Sequence, residues 1–164
     1  TVDFQALRKI NSDIIAWIRI PDTKIDYPIV QGKNNAYYLK HMFQKTEHAA
    51  GSIFLDVDNE ADFSNRKSIL YGHNMKDGSM FQGLHRFQEE SYLQEHNRTI
   101  VYILIPDNRE LVYKVIKCGY VKADSDTFCW ENQWKRHSFY CLPVALIRPK
   151  GWWYGVNCRR RKKK

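Results

Sequence analysis

The sequence predicts a mainly β fold with short helices, arranged as a mixed and mainly antiparallel barrel or sandwich. The chain has 164 residues, of which 43% are hydrophobic and 14% aromatic, a globular composition that suffices for one domain with a buried core. Apolar runs of strand length, bounded by polar turns, recur through the first 128 residues. The helical patterns between them are short, which excludes a regular alternation of strands and long helices.

The first elements are predicted to be two short helices. Residues 4–18 place apolar side chains at spacings of three and four, and residues 11–13 supply a capping signal between them. After a turn, residues 24–30 alternate between apolar and polar side chains as a strand does. Residues 34–43 then predict a short helix or helical turn.

The middle of the chain predicts two buried strands, two short helices and a hairpin. The buried strands are residues 51–56 and 67–73, and the helices are residues 80–84 and 89–96. Residues 98–105 and 110–117 flank a Pro-Asp-Asn turn and are rich in Val, Ile and Tyr, which predicts the hairpin. Residues 119–121 continue its second strand.

The composition changes near residue 128. Residues 129–164 hold ten of the 26 basic residues but one of the 18 acidic ones, a balance of +9, together with four of the five tryptophans. Residues 1–128 carry 16 basic and 17 acidic residues and are nearly neutral. The sequence therefore predicts a domain over residues 1–128 and an atypical basic, Trp- and Cys-rich segment over residues 129–164.

The net charge of +8 does not predict specific nucleic-acid binding. The excess charge lies in the final segment, whose last six residues are all basic and lack a neighbouring aromatic platform. These six residues are interpreted as a solvated tail, with salt-sensitive attachment to an anionic surface as the alternative. No run of about 18 apolar residues and no signal-peptide pattern occurs, so membrane contact is expected only through an anchor outside this sequence.

Neither a metal nor a cofactor is predicted. Asp56, Asp58, Glu60 and Asp62 alternate as in a calcium loop, but Ala61 and Lys67 occupy the positions where that loop needs Gly and Glu. These acidic residues are interpreted as a solvated turn. The four cysteines form no Cys-x-x-Cys pair and are too few for a disulfide scaffold.

His73 is the titratable residue of most interest before residue 128. It ends an apolar strand, where a side chain lies at a rim and an imidazole can exchange protons near neutral pH. Position alone favours the plainer interpretation, a histidine satisfied by a backbone group.

A longer string of motifs favours the catalytic interpretation. The motifs are Lys-Ile-Asp-Tyr-Pro-Ile-Val-Gln-Gly at residues 24–32, then Asn35, Tyr38-Leu39, Gly-Ser-Ile-Phe-Leu-Asp at 51–56, Ile-Leu-Tyr-Gly-His-Asn-Met at 69–75, and Met80-Phe81. In order and spacing, residues 2–128 resemble class B sortases, the cysteine transpeptidases of Gram-positive cell envelopes.

The resemblance implies a sortase β-barrel preceded by N-terminal helices, on the outer face of the cytoplasmic membrane. Such an enzyme cleaves a sorting-signal peptide after Thr and joins the Thr carbonyl to an amine of a cell-wall peptidoglycan precursor. A Cys thiolate attacks the amide, a His transfers protons, and an Arg stabilises the oxyanion or orients the substrate. His73 matches the family's histidine, while Asn35, Leu39 and Tyr71 match positions along the substrate groove.

The final segment departs from the family. The expected Thr-Leu-x-Thr-Cys strand and the following Arg are absent, so the last barrel strands are predicted to be missing or replaced. Cys141, with Arg148 seven residues later, is the remaining candidate for the nucleophile and its arginine. Pro143 and Pro149 disfavour strand pairing there, and an incidental thiol is the favoured interpretation.

Two functional hypotheses follow. In the first, the chain is a class B sortase by descent that lacks its nucleophile and is inactive. In the alternative, a partial barrel serves as a non-catalytic peptide-binding module. A shift of reading frame near residue 128 explains why composition, periodicity, charge and resemblance change together, and the nucleotide sequence there tests this hypothesis.

Overall fold

Eight strands form one closed barrel in the order β1-β2-β3-β4-β7-β8-β6-β5. The computed structural model describes residues 2–65, 67–96, 100–122, 141–147 and 152–160, with side chains up to residue 115. The strands are β1 Ile14–Arg19, β2 Asp26–Val30, β3 Ile53–Leu55, β4 Leu70–His73, β5 Ile100–Leu104, β6 Glu110–Lys122, β7 Cys141–Ile147 and β8 Trp152–Arg160. The helices are α1 Phe4–Ile10 and α2 Glu90–Glu95, with 3-10 helices at Tyr37–Leu39 and Gln82–Gln88.

The predicted fold class is confirmed. Neighbouring strands run antiparallel except in the parallel pairs β2–β3 and β4–β7. The predicted hairpin is β5–β6, with Ile100 opposite Lys114 and Leu104 opposite Glu110. Within the described ranges, no helix has the length and apolar character needed to cross a membrane.

The prediction of two N-terminal helices is wrong for the second one. The helix α1 forms, and the Asp3 carboxylate caps it by accepting a hydrogen bond from the amide of Ala6 at 2.9 Å. Residues 14–19 are instead strand β1, in which Ile14, Ile15 and Ala16 are buried in succession. A strand that is buried on both faces lacks clean alternation, and its β-branched residues favour extended backbone.

The last two barrel strands are replaced rather than missing. β7 and β8 come from the segment beyond residue 128, so the change in composition is not a boundary of the sheet. The expectation that Pro143 disfavours pairing is wrong, because Pro143 lies in β7 opposite Asn157 of β8. The parallel ladder with β4 begins only at Val144, so the missing N–H of Pro143 falls outside that ladder. Pro149 lies outside the described residues.

A second hydrophobic cluster lies outside the main core. A row of register partners crosses four strands: Ile14, Val30, Phe54 and Tyr71. Partners in register share one face of a sheet. We call this row, with the side chains that cover it, the outer cluster; the covering side chains are Phe4, Leu7, Tyr38, Leu39 and Phe43. It packs α1 and the first 3-10 helix against this row of strand residues.

Gly72 of β4 is required by close packing. A Cβ atom there would lie 2.6 Å from the ring of Phe81, which is fully buried. We expect Gly72→Ala to lower the free energy of unfolding by about 1–3 kcal/mol, because the core would be overpacked. Urea unfolding measures this loss. The double variant Gly72→Ala/Phe81→Leu should lose less free energy of unfolding than the sum of the losses of the two single variants. Strictly additive losses would contradict the packing explanation.

Candidate active site

His73 lies at the end of β4 and is half-buried. Its Nε2 atom is 2.7 Å from the carbonyl oxygen of Leu39. A carbonyl oxygen only accepts hydrogen bonds, so Nε2 carries a proton and donates it. Among the residues that the structure describes, none forms a hydrogen bond with Nδ1. The ring therefore has a backbone partner at Nε2 and, in the described part of the chain, no partner at Nδ1.

Alternation along β4 explains the direction of the ring. Leu70 and Gly72 are buried, while Tyr71 and His73 are half-exposed. Residues two apart in a strand share a face, so His73 lies on the face of the outer cluster. Leu39 belongs to that cluster, which explains how its carbonyl reaches a ring 34 positions further along the chain.

Asp56 joins two of the predicted groove residues. Its Oδ2 atom accepts hydrogen bonds from the Tyr71 hydroxyl at 2.6 Å and from the Asn35 side-chain amide at 3.1 Å. Its Oδ1 atom accepts one from the amide of Asp58 at 2.9 Å. Burial raises the pKa of the Tyr71 phenol, and the bond to Asp56 raises it further.

The solvated-turn interpretation is therefore wrong for Asp56, which is only 9% exposed. It follows directly on the buried strand β3, so its carboxylate enters the protein and needs hydrogen-bond donors. Asp58, Glu60 and Asp62 are exposed as predicted. Within the described ranges, no group of three metal-binding side chains forms.

The structure brings four of the five non-thiol candidates to one side of β4, and the fifth, Arg148, lies outside the described residues. His73 contacts Leu39 directly, and Tyr71 is linked to Asn35 through Asp56. Their roles toward a substrate stay predictions. Asp56 is a site residue that was not predicted, although a carboxylate at the end of a buried strand is a signal for such an anchor.

A second hydrogen-bond network, which was not predicted, holds the first 3-10 helix. The Tyr38 hydroxyl donates a hydrogen bond to Asp13 Oδ2 at 2.6 Å and accepts one from the Asn11 side-chain amide at 2.8 Å. Lys45 Nζ is 3.1 Å from the same Asp13 oxygen. Burial raises the pKa of the Tyr38 phenol, and the bond to Asp13 adds to this effect. Tyr38 directly precedes Leu39, so the network fixes the carbonyl that binds His73.

Asp13 gives the protein a pH-dependent contribution to stability. Burial opposes its ionisation, but the hydrogen bond from Tyr38 and the charge of Lys45 hold the pKa of its carboxyl below the ordinary value. A depressed pKa stabilises the fold above the unfolded value of about 3.9, and this contribution is lost as the pH falls below it. We expect urea unfolding to give wild type a higher free energy of unfolding than Asp13→Asn at pH 6, and the difference between the two to be smaller at pH 3. A gap that stays constant would contradict this assignment.

The register of β7 bears on the predicted nucleophile. His73 pairs with Ile147, whereas Cys141 starts the same strand six residues earlier. Parallel strands rise about 3.3 Å per residue, so Cys141 lies roughly 20 Å from the His73 end, far beyond the reach of about 3 Å that a thiol–imidazole pair needs. Cys158 pairs with Leu142 near the same distant end. This register argues against Cys141 as the nucleophile, and Arg148 lies outside the described residues.

The comparisons with known proteins agree with this fold. Residues 18–137 match the family model of the Sortase domain. Sortase B of Listeria monocytogenes is 46% identical over 94 residues, which make up 57% of this chain and 38% of that protein. The chain therefore spans well under half the length of that relative.

Two solved structures cover nearly the whole chain. Sortase B from B. anthracis in complex with AAEK1 is 30% identical, with a TM-score of 0.81 over 98% of this chain and 84% of that chain. The Staphylococcus aureus sortase B–substrate complex has the same fold, with a TM-score of 0.84, 24% identity and coverage of 98% and 85%. The family match over most of the chain, together with a class B barrel that carries His73 at the end of β4, shows that this chain belongs to the sortase family, class B.

Proposed function

We propose that this chain is a class B sortase, a cysteine transpeptidase, by descent, and that His73 holds the position of the family's acid–base residue. The bond between Nε2 and the Leu39 carbonyl supports this role, since it fixes one ring proton and leaves Nδ1 for transfer. The Nδ1–H of the imidazolium would protonate the amine that leaves when a thiolate forms a thioester with the Thr carbonyl. Neutral Nδ1 would then take a proton from the incoming amine as that amine displaces the thiolate from the thioester.

The proposed substrate is the sorting-signal peptide of a secreted surface protein. It would bind across the face of β4 that carries Asn35, Leu39 and Tyr71, which are held in place before any ligand arrives. Such preorganisation reduces the entropy cost of binding. The proposed acceptor is an amine of a peptidoglycan precursor, on the outer face of the cytoplasmic membrane of a Gram-positive bacterium.

We further propose that this chain binds such a peptide without cleaving it. The observation that carries this step is the register of the described strands, which sets Ile147 beside His73 and Cys141 and Cys158 near the opposite end of β7. Cys129 lies outside the described residues. The reaction cannot begin without a thiolate at the histidine. An inactive chain is common to both hypotheses from the sequence, and the groove residues held in place by Asp56 favour the second one, a non-catalytic peptide-binding module.

A labelled peptide with Thr before Gly or Asn tests both proposals. We expect binding by fluorescence anisotropy without cleavage of its fluorogenic form, and no change on Cys141→Ala. Leu39→Ala should weaken binding about tenfold or more, because it removes apolar contact area, whereas Glu110→Gln on β6 should leave binding unchanged. Turnover that disappears in Cys141→Ala would overturn the non-catalytic proposal. Absence of peptide binding would overturn the proposal of a substrate groove on this face.

A further inference from the structure

Gly51 packs against the backbone that holds His73. Its φ of +55° lies in the left-handed region, which L-residues with a side chain seldom adopt. A Cβ atom at this position would lie 2.5 Å from the carbonyl oxygen of Tyr38 and 2.7 Å from that of Leu39. These are backbone atoms, so they cannot move aside as the end of a flexible side chain does.

Ser52 fastens the same backbone. Its amide donates a hydrogen bond to the Tyr38 carbonyl at 2.9 Å, and its hydroxyl donates one to the His41 carbonyl at 2.9 Å. The Gly51 amide donates to the carbonyl of His48 at 3.0 Å. Residues 51 and 52 therefore contact the backbone carbonyls at the end of the first 3-10 helix and just after it. One of these, the Leu39 carbonyl, contacts both Gly51 and the His73 ring.

We propose that Gly51 is a positioning residue for His73. Because it lacks a Cβ, the Leu39 carbonyl can lie where it accepts the proton of Nε2, and this bond selects the tautomer that leaves Nδ1 free for transfer. The inference rests on the proposed function only for the use made of His73, since the contact between Gly51, Leu39 and the ring is a property of the fold. A side chain at residue 51 would move the carbonyl and release the Nε2 proton.

Backbone strain alone is the competing explanation for this glycine. Gly78 offers a matched control, since its φ is +84° but the nearest atom to a Cβ there is Lys24 Nζ, 3.4 Å away. Gly78→Ala therefore carries a comparable backbone strain without a collision against a carbonyl.

Nitrogen-15 NMR of the histidine rings tests the proposal in the whole chain without any substrate. In wild type we expect the His73 Nε2 proton to be protected from exchange with solvent, and the neutral ring to carry its proton at Nε2. In Gly51→Ala we expect about tenfold faster exchange of that proton, because roughly one hydrogen bond is lost. We also expect a mixture of the two neutral tautomers. Gly78→Ala should match wild type.

A second variant keeps the test decisive if Gly51→Ala does not fold. Asn tolerates the left-handed region better than other residues with a side chain, so Gly51→Asn lowers the strain while keeping the Cβ collision. An unprotected Nε2 proton in wild type, or unchanged exchange in a folded Gly51 variant, would overturn the positioning role. Peptide binding and cleavage are measured separately, so failure of the proposed function would leave this result unaffected.

Discussion

Asp56→Ala is expected to lower the free energy of unfolding by about 3–5 kcal/mol and to abolish binding of a sorting-signal peptide. The carboxylate is nearly buried and accepts hydrogen bonds from Tyr71, Asn35 and the amide of Asp58. A hydrogen bond to a charged group contributes about 1.5–3 kcal/mol, and each buried donor left without a partner adds a further cost. The Tyr71 hydroxyl and the Asn35 amide would both have to find new acceptors.

Asp62→Ala is the matched control for this prediction. Asp62 lies in the same loop and its carboxylate accepts a hydrogen bond from the amide of Ser64 at 2.9 Å, but the residue is exposed. We expect a loss of about 0.5 kcal/mol or less and unchanged peptide affinity. Urea unfolding and fluorescence anisotropy measure the two effects. Equal losses for Asp56→Ala and Asp62→Ala would show that burial of the carboxylate is not the source of the stability.

The barrel was predictable because its strands are short apolar runs with turns between them. The β5–β6 hairpin has the clearest pattern, and the structure confirms it. β1 failed because a strand buried on both faces shows the same spacing of three and four as an amphipathic helix. The prediction for β7 was wrong for another reason, because strand formation there depends on its neighbours in the barrel. A local rule about Pro143 does not say which neighbouring strand its missing N–H would face.

The candidate site was predictable where one residue carries the chemistry. His73 could be assigned from its motif and from its place at a strand end. For Asp56 the sequence offers only the signal of a carboxylate at the end of a buried strand, because its partners Tyr71 and Asn35 are remote in sequence. Gly51 could not be predicted, since its missing side chain avoids a collision with carbonyls that only the folded chain brings near. The hypothesis of a shifted reading frame remains a prediction that the nucleotide sequence tests.

Ile147→Cys is expected to create a thiol that His73 activates. Ile147 is the register partner of His73 in the parallel pair β4–β7, and neighbouring strands lie about 4.8 Å apart. A thiol paired with an imidazole loses its proton more readily than a free one, whose pKa is about 8.5. We expect the introduced thiol to react with iodoacetamide at pH 7 at least tenfold faster than Cys141 in the same molecule, as measured by peptide mass analysis at timed intervals.

The double variant Ile147→Cys/His73→Ala separates activation from simple exposure. Removing the imidazole should return the introduced thiol to the rate of Cys141, because a thiol without a nearby cation or base is mostly protonated at neutral pH. If the single variant also cleaves the fluorogenic peptide, while wild type and the double variant do not, then a missing nucleophile is what separates this barrel from a transpeptidase. An alkylation rate that is the same with and without His73 would instead mean that β4 and β7 do not meet in the register that sets Ile147 beside the histidine.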